Sequence, residues 1–390
     1  MRRPLGVLLL AVLAGTGSRA EEGAEQRFTW RPSFETRTEY DDNAFLREHQ
    51  KNGDVGVWMV PGLDLAYRTP ALDLGADFGA EIPRYFDHSS LDDSYWRLNA
   101  HGEVGLWPGL SVRVSDAFTP QPKLLGAPED SPSNLTQSNR AGAEVRYWRE
   151  LASGRELTLG ITGARFDSDN FDAYVPGPGG TTVYDSNYNA RFTEGGGYAE
   201  LRNPIGEHHA IVVSSRVQYR DFDSRTEGGH LEAGGLLGLE SQLPGSVDLD
   251  VAGGFGWLDP NESSGQPHAL GRLDLTWRPG EGLSVRLGVH HEMTQDILAN
   301  DFMDTTGRLT IEKFFGLRTS ASVTAFVSQL ESDSTHPKSD LFGGAEVVLR
   351  RQLSRSFQVA LSYRYWENAG GFALDDFRQN RVQFTLSYRR

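Results

Sequence analysis

Hydrophobic and polar residues alternate in short segments that repeat along the chain from about Phe28 to its C-terminal residues. In the first segment one parity holds Phe28, Trp30, Phe34, Thr36 and Tyr40, and the other holds Thr29, Arg31, Glu35, Arg37 and Glu39. Because successive side chains of a β-strand point to opposite faces, the pattern predicts strands with one apolar and one polar face. Further clear strands are predicted at Val55–Arg68, Val247–Trp257, Leu283–Glu292, Phe357–Trp366 and Arg381–Tyr388.

The links between these segments alternate between short turns, such as Thr69-Pro70, and long polar loops, such as Asp41 to Asp54. Eight short and nine long links join eighteen predicted strands, or sixteen if the Gly-rich stretch from Tyr188 to Arg202 is irregular. This alternation is typical of bacterial outer-membrane barrels, which have an even number of strands. The prediction is an all-β fold, a single transmembrane antiparallel up-and-down β-barrel over residues 28–390, with both termini in the periplasm.

Aromatic residues of the apolar parity fall near the strand ends, as expected of the two girdles that flank the apolar band of a membrane barrel. One predicted girdle contains Phe28, Tyr67, Tyr147, Trp277 and Tyr388, and the other contains Tyr40, Trp96, Tyr219, Trp257 and Tyr365. The alternative is a secreted β-sandwich, but that fold buries its aromatic residues centrally and does not sort long loops from short turns.

Composition changes the picture in two ways. The mean hydropathy of −0.46 suggests a soluble protein, but a barrel exposes only every second residue to lipid and keeps polar groups inside. The net charge of −15 argues against nucleic acid as a partner, and the absence of cysteine excludes disulfides and thiolate metal sites. Neither a cofactor nor a metal ion is predicted.

The N-terminus resembles an export signal. Arg2 and Arg3 precede an apolar stretch from Leu5 to Ala14, and small residues stand before Glu21. Residues 1–20 are therefore predicted to be a signal peptide, with a retained membrane anchor as the alternative, and residues 21–27 a short periplasmic segment. Outer-membrane lipid, lipopolysaccharide and the β-barrel assembly machinery are the partners that this location implies.

The inward parity carries most of the charge. The predicted pore-lining residues are Arg31, Glu35, Arg37, Asp64, Asp73, Asp77, Glu81, Arg97, Arg113, Arg140, Arg146, Glu232, Glu240, Asp248, Asp250, Arg272, Arg286 and Arg308. An eighteen-stranded barrel is wide enough for an aqueous channel, and opposed acidic and basic walls suit polar solutes. The alternative is that these charges pair with one another and support the wall.

Loops and histidines offer other candidate sites. The loops Thr119 to Ser138 and Asp167 to Asn187 could fold into the mouth as a constriction or stay solvated, and acidic tips such as Asp41-Asp42-Asn43 could bind Ca²⁺. His290-His291 with Glu292 and Ser284 is the best acid–base cluster, but the chain contains no nucleophile elbow, zinc pattern or phosphate loop. The sequence therefore predicts a protein that is not an enzyme.

The stretch Glu39-Tyr40-Asp41-Asp42-Asn43-Ala44-Phe45-Leu46 resembles the opening of outer-membrane barrels of the beta-barrel porin-2 type, which are similar to exopolysaccharide export barrels. The resemblance implies a channel that exports a secreted polysaccharide together with a periplasmic polysaccharide export protein. Such barrels commonly end on an aromatic residue, whereas this chain ends Tyr388-Arg389-Arg390. A general or sugar-type diffusion porin, or a plugged barrel acting as an assembly scaffold, are the alternatives.

Overall fold

A computed structural model describes residues 27–46, 52–122, 135–169, 171–176, 182–188, 190–223, 229–260, 265–295, 301–332, 339–369 and 376–389. The predicted signal peptide, residues 1–20, and residues 21–26 of the predicted periplasmic segment lie outside the described part of the chain. None of the helical segments within it is long and apolar enough to cross a membrane.

Twenty strands make up the described structure. They are β1 Arg27–Asp41, β2 Asp54–Arg68, β3 Leu72–Tyr85, β4 Tyr95–Trp107, β5 Leu110–Pro122, β6 Leu135–Glu150, β7 Glu156–Ser168, β8 Phe171–Pro176, β9 Thr182–Tyr188, β10 Arg191–Ile205, β11 His209–Phe222, β12 Gly229–Leu243, β13 Val247–Pro260, β14 Gln266–Gly280, β15 Leu283–Gln295, β16 Asp301–Phe315, β17 Thr319–Ser332, β18 Ser339–Gln352, β19 Phe357–Ala369 and β20 Phe377–Arg389.

Eighteen of these strands form one closed antiparallel barrel, which confirms the predicted fold class. Each strand pairs with its neighbours in sequence, β7 pairs with β10, and β20 pairs with β1 to close the ring. The remaining two strands, β8 and β9, form a separate hairpin between β7 and β10. Short turns therefore lie at one end of the barrel and longer connections at the other, the long-loop end.

Two expectations about the middle of the chain change. The Gly-rich stretch that left sixteen strands open contains the regular strand β10, which pairs on both sides, so the count is eighteen. The loop predicted from Asp167 to Asn187 contains the β8–β9 hairpin, which the sequence reading did not anticipate. Because β8 and β9 are only 6 and 7 residues long, their alternation is too short to stand out from a polar loop.

The outer face is apolar and exposed, as the alternation predicts. Phe28, Trp30 and Phe34 are 65%, 57% and 43% exposed, whereas Glu39 on the inward parity of the same strand is 3% exposed. This arrangement is the reverse of that in a soluble protein, where large apolar side chains are buried because their exposure to water is unfavourable in free energy. The outer face therefore fits a lipid environment.

Buried hydrophobic residues cluster at the long-loop end. Ala44, Trp58, Tyr85 and Leu91 form one cluster, and Leu46 packs with Phe377 and Trp366 in a second. Leu46 reaches this position with a left-handed backbone, φ 55°. The start of the first long loop thus folds against the inner wall of the barrel.

Candidate functional site

The strand register places every predicted pore-lining residue on the inner face of the barrel. On β1–β3 these are Arg31, Glu35, Arg37, Asp64, Asp73, Asp77 and Glu81; on β4–β6 they are Arg97, Arg113, Arg140 and Arg146; on β12–β16 they are Glu232, Glu240, Asp248, Asp250, Arg272, Arg286 and Arg308. Their role in lining a pore stays a prediction.

Many of these charges pair along the wall. Arg97 Nε lies 3.1 Å from Asp77, Arg272 donates to Asp250 at 2.8 Å, and Arg146 reaches Glu103 at 3.1 Å. The partners sit on neighbouring strands or one strand apart, so these pairs brace the wall without crossing the lumen. Such partly exposed pairs contribute little stability each.

Three of the predicted pore-lining arginines differ from this pattern. Arg31, Arg113 and Arg308 have no ion-pair partner among the described residues. Arg308 instead lies over the ring of Phe326, with 5.7 Å from its guanidinium carbon to the ring centroid. These guanidinium groups are therefore not neutralised by a carboxylate of the described wall.

All ten predicted girdle residues lie on the outer face: Phe28, Tyr40, Tyr67, Trp96, Tyr147, Tyr219, Trp257, Trp277, Tyr365 and Tyr388. Beyond Tyr219 the outer face becomes charged, which the alternation does not predict. Arg165 binds Asp223 with two N–H groups, one of them at 2.7 Å from Oδ1. This contact holds the pKa of the Asp223 carboxyl below its usual range.

The candidate acid–base cluster does not assemble. His290 faces the lumen and contacts Asp274 at 3.1 Å, while His291 faces outward and contacts Thr305. Ser284 shares a strand with His290 but stands six residues away, which is about 20 Å along an extended strand. The described geometry therefore brings no nucleophile to these bases.

The acidic tip of the first loop is used within the protein. Gln379 Nε2 donates to Asp41 at 2.6 Å, and the side-chain amide of Asn380 donates to Asp42 at 2.8 Å. The carboxylates considered as Ca²⁺ ligands thus bind the last strand, and no group of metal-binding side chains occurs in the described ranges.

A recess of about 630 Å³ opens on the inner face of β14–β19. One side is polar and the other is aromatic, and the lining side chains include Asp274, Arg286, His290, Glu292, Asp304, Arg308, Phe326, Phe342 and Trp366. The ring centroids of Phe326 and Trp366 are 4.6 Å apart, and Phe342 lies nearly parallel to Trp366 at 6.1 Å. We call this site the aromatic recess.

Pro122 also lines the aromatic recess, although it ends β5, nine strands around the ring from β16. The β5–β6 hairpin must therefore reach across the lumen at this level, and Pro122 pairs with Leu135 at its described tip. The predicted loop Thr119 to Ser138 is strand at both ends, because β5 runs to Pro122 and β6 begins at Leu135, and the expected constriction falls on residues 123–134, outside the described ranges.

The predicted pore-lining residues do not include the aromatic residues of the recess. The parity signal was present, because Phe326 shares its face with Ser322, Thr324 and Ser328. Inward aromatic residues also occur elsewhere, as in the contact of Phe166 with Phe192, so parity alone does not locate the recess.

Solved structures share the architecture of this chain. Pseudomonas aeruginosa OccK9 (OpdG) superposes with a TM-score of 0.53 at 15% identity over 93% of this chain and 98% of its own. Pseudomonas aeruginosa OpdK with vanillate gives 0.53 at 11% identity over 93% and 99%, and Acinetobacter baumannii OccAB3 gives 0.51 at 11% identity over 93% and 99%. No protein-family model and no curated protein matches the chain. At these identities the likeness shows the fold alone.

Proposed function

We propose that this protein is an outer-membrane channel through which small polar solutes diffuse. The observation that carries the proposal is a closed eighteen-stranded barrel whose inner face holds a recess of about 630 Å³, which Pro122 also lines. Recesses of this size hold small molecules, and their few polar groups select among them. The exposed apolar outer face suits lipid and the charged inner face suits water, as a membrane channel requires.

The solved structures support a small solute over a polymer. OpdK was solved with vanillate, and Pseudomonas aeruginosa OccK2 (OpdF), with a TM-score of 0.53 at 13% identity over 92% of this chain and 97% of its own, was solved with glucuronate. Both ligands are small molecules bound by barrels of this architecture. The approach of Pro122 to the opposite wall argues in the same direction, because a polysaccharide strand must pass every level of the lumen.

Purified protein in planar lipid bilayers tests the proposal. We expect discrete, ohmic conductance steps, and we expect proteoliposomes to take up small sugars and amino acids but to exclude long oligosaccharides. A barrel without conductance would instead be the plugged scaffold.

Polysaccharide export, together with a periplasmic export protein, is the second candidate. It is favoured by the porin-2-like stretch Glu39–Leu46, whose Asn43, Ala44 and Leu46 are buried at the mouth of the barrel. Deletion of the gene separates the two functions. Loss of surface polysaccharide supports export, whereas unchanged polysaccharide with slower solute uptake supports diffusion.

The location is part of the same proposal. We propose that the chain is cleaved after Ala20, inserted by the β-barrel assembly machinery and surrounded by lipopolysaccharide. Both termini would then lie in the periplasm. Membrane fractionation and protease accessibility of a tag at each end test this orientation.

A further inference from the structure

The aromatic recess holds one carboxylate and one guanidinium that have no ion-pair partner among the described residues. Glu292 on β15 and Arg308 on β16 are both exposed to the lumen, and neither forms an ion pair within the described ranges. Many other inward charges are paired, as in Arg272 with Asp250. An exposed but unpaired acid and base in one recess are the groups that a ligand can engage.

The other charged groups of the recess have partners, although Glu312, the partner of Arg286, lies 4.0 Å away. Asp304 accepts hydrogen bonds from Ser328 Oγ at 2.5 Å and from Thr306 Oγ1 at 2.8 Å. Asp274 contacts His290 and lies 3.8 Å from Arg272. Recognition by charge in the recess therefore falls mainly to Glu292 and Arg308.

Arg308 is held in place by an aromatic ring. Its guanidinium lies over Phe326, which fixes the planar group and leaves its N–H edge free for a carboxylate. Phe326, Phe342 and Trp366 extend this support into an apolar surface. A ligand bound to Arg308 would therefore lay an apolar body against the aromatic side.

The strand register sets the separation between the two charges. Glu292 is opposite Asp304 and Gly288 is opposite Arg308, so four residues of strand separate the two levels. This is about 13 Å between backbones, a span that is reduced when the two long side chains reach along the wall toward one ligand. The remaining gap suits opposite charges several bonds apart in one molecule.

We infer that the aromatic recess binds zwitterionic solutes with an apolar body, namely short peptides. The ammonium group of the peptide would bind Glu292 and its carboxylate would bind Arg308. The inference rests on the proposed channel function and names a substrate class for it. It differs from recognition of simple anions, because Glu292 would repel a carboxylate that lacks a compensating ammonium.

The test uses ion current through the full-length channel and three matched probes: glycylphenylalanine, its N-acetyl form and its C-terminal amide. We expect the zwitterion to block the current at a concentration at least about tenfold lower than either singly charged form, because each loses one charge-assisted contact. Equal block by all three probes, or none by any, would overturn the inference.

Variants assign the two contacts. In Glu292→Gln the acetylated probe should block as well as the zwitterion, and in Arg308→Gln the amide should do so. Arg113→Gln, which removes an inward arginine from β5, should keep the preference for the zwitterion. If Arg113→Gln abolishes the preference as well, the general lumen charge and not the recess is responsible, and the assignment is wrong.

The two proposals fail differently. A channel without conductance overturns the proposed function, whereas normal conductance with indifference to the three probes overturns only the zwitterion site. Conductance of each variant without probe shows whether the barrel has folded and inserted.

Discussion

Arg381 on β20 and Asp41 on β1 form an ion pair in which both side chains are buried, 4% and 1% exposed, with Arg381 Nη2 3.2 Å from Asp41 Oδ2. Replacing Arg381 by Gln leaves a buried carboxylate without its cation, a loss that costs about 3 to 5 kcal/mol. We therefore expect Arg381→Gln to lower the free energy of unfolding by that amount. Urea unfolding in lipid vesicles, followed by tryptophan fluorescence, measures it.

Arg389 is the matched control, because it lies on the same face of β20 and also pairs with an aspartate. It donates to Asp64 at 3.0 Å, but its side chain is 67% exposed. Exposed pairs contribute about 0 to 1 kcal/mol, so Arg389→Gln should have little effect. Equal losses of unfolding free energy in the two variants would show that burial of the ion pair does not decide its contribution to the pairing of β1 with β20.

The position of Arg381 explains why its pair matters for the ring. The β1–β20 ladder runs only from Ser33 to Asp41, whereas β1 and β2 pair along their whole length. Side-chain contacts at the long-loop end, including Asn43 Nδ2 to the carbonyl of Arg378 at 3.0 Å, extend this short closing ladder.

At the scale of the strand, β5 carries an acid on the wrong face. Asp116 stands midway along β5 between Ala100 and Ala141, on the parity that faces lipid. Charged groups on the lipid face destabilise a barrel, acids less than the 2 to 4 kcal/mol of basic residues. Asp116→Leu should therefore stabilise the inserted barrel by about 1 to 2 kcal/mol.

Unfolding in lipid vesicles checks this expectation, with Asp250→Leu as the control. Asp250 faces the lumen and binds Arg272, so its replacement should destabilise the barrel. If Asp116→Leu is also destabilising, its carboxylate has a partner in the membrane, and the outer face of β5 is a contact surface.

Strand packing also makes a prediction at Gly254 of β13. A Cβ atom there would lie 1.9 Å from the carbonyl oxygen of Gly235 on β12, a backbone atom that cannot move aside alone. Gly254→Ala should therefore push β12 and β13 apart and lower the yield of refolded barrel. Gly105→Ala, where nothing lies within 4 Å of the new Cβ, should refold normally, as a mobility shift between unheated and boiled samples would show.

Alternation predicts the barrel strands and their faces, because a membrane barrel repeats one rule at every residue. Together with the link lengths it gives eighteen or sixteen strands, and it does not predict the β8–β9 hairpin. Single departures from that rule, such as Asp116 facing lipid or Trp366 facing the lumen, are what the rule cannot predict. Pro122 of β5 lines the aromatic recess from the other side of the ring, and no local pattern around Pro122 predicts this approach. The charged residues of the inner face are predictable from parity. Their ion pairs form between strands and depend on the strand register, so the sequence does not show that Glu292 and Arg308 lack ion pairs among the described residues.

For the whole molecule, the balance of charge on the inner face decides ion selectivity. The predicted pore-lining set contains equal numbers of acids and arginines, but the register adds inward acids in excess, among them Glu103, Glu144, Glu194, Asp274, Glu292, Asp304 and Glu346. The chain as a whole carries a net charge of −15. A lumen with excess carboxylates concentrates cations and repels anions.

We therefore expect the channel to prefer K⁺ over Cl⁻, with a reversal potential of the corresponding sign in a KCl gradient. The preference should weaken toward 1 M salt, where the screening length falls to about 3 Å and the wall charges no longer act across the lumen. Replacing the inward Asp77 and Glu81 of β3 by Asn and Gln should reduce it, whereas Asp221→Asn on the outer face of β11 should not. Anion preference in the unmodified channel would show that the unpaired arginines, and not the acidic excess, govern the path of ions.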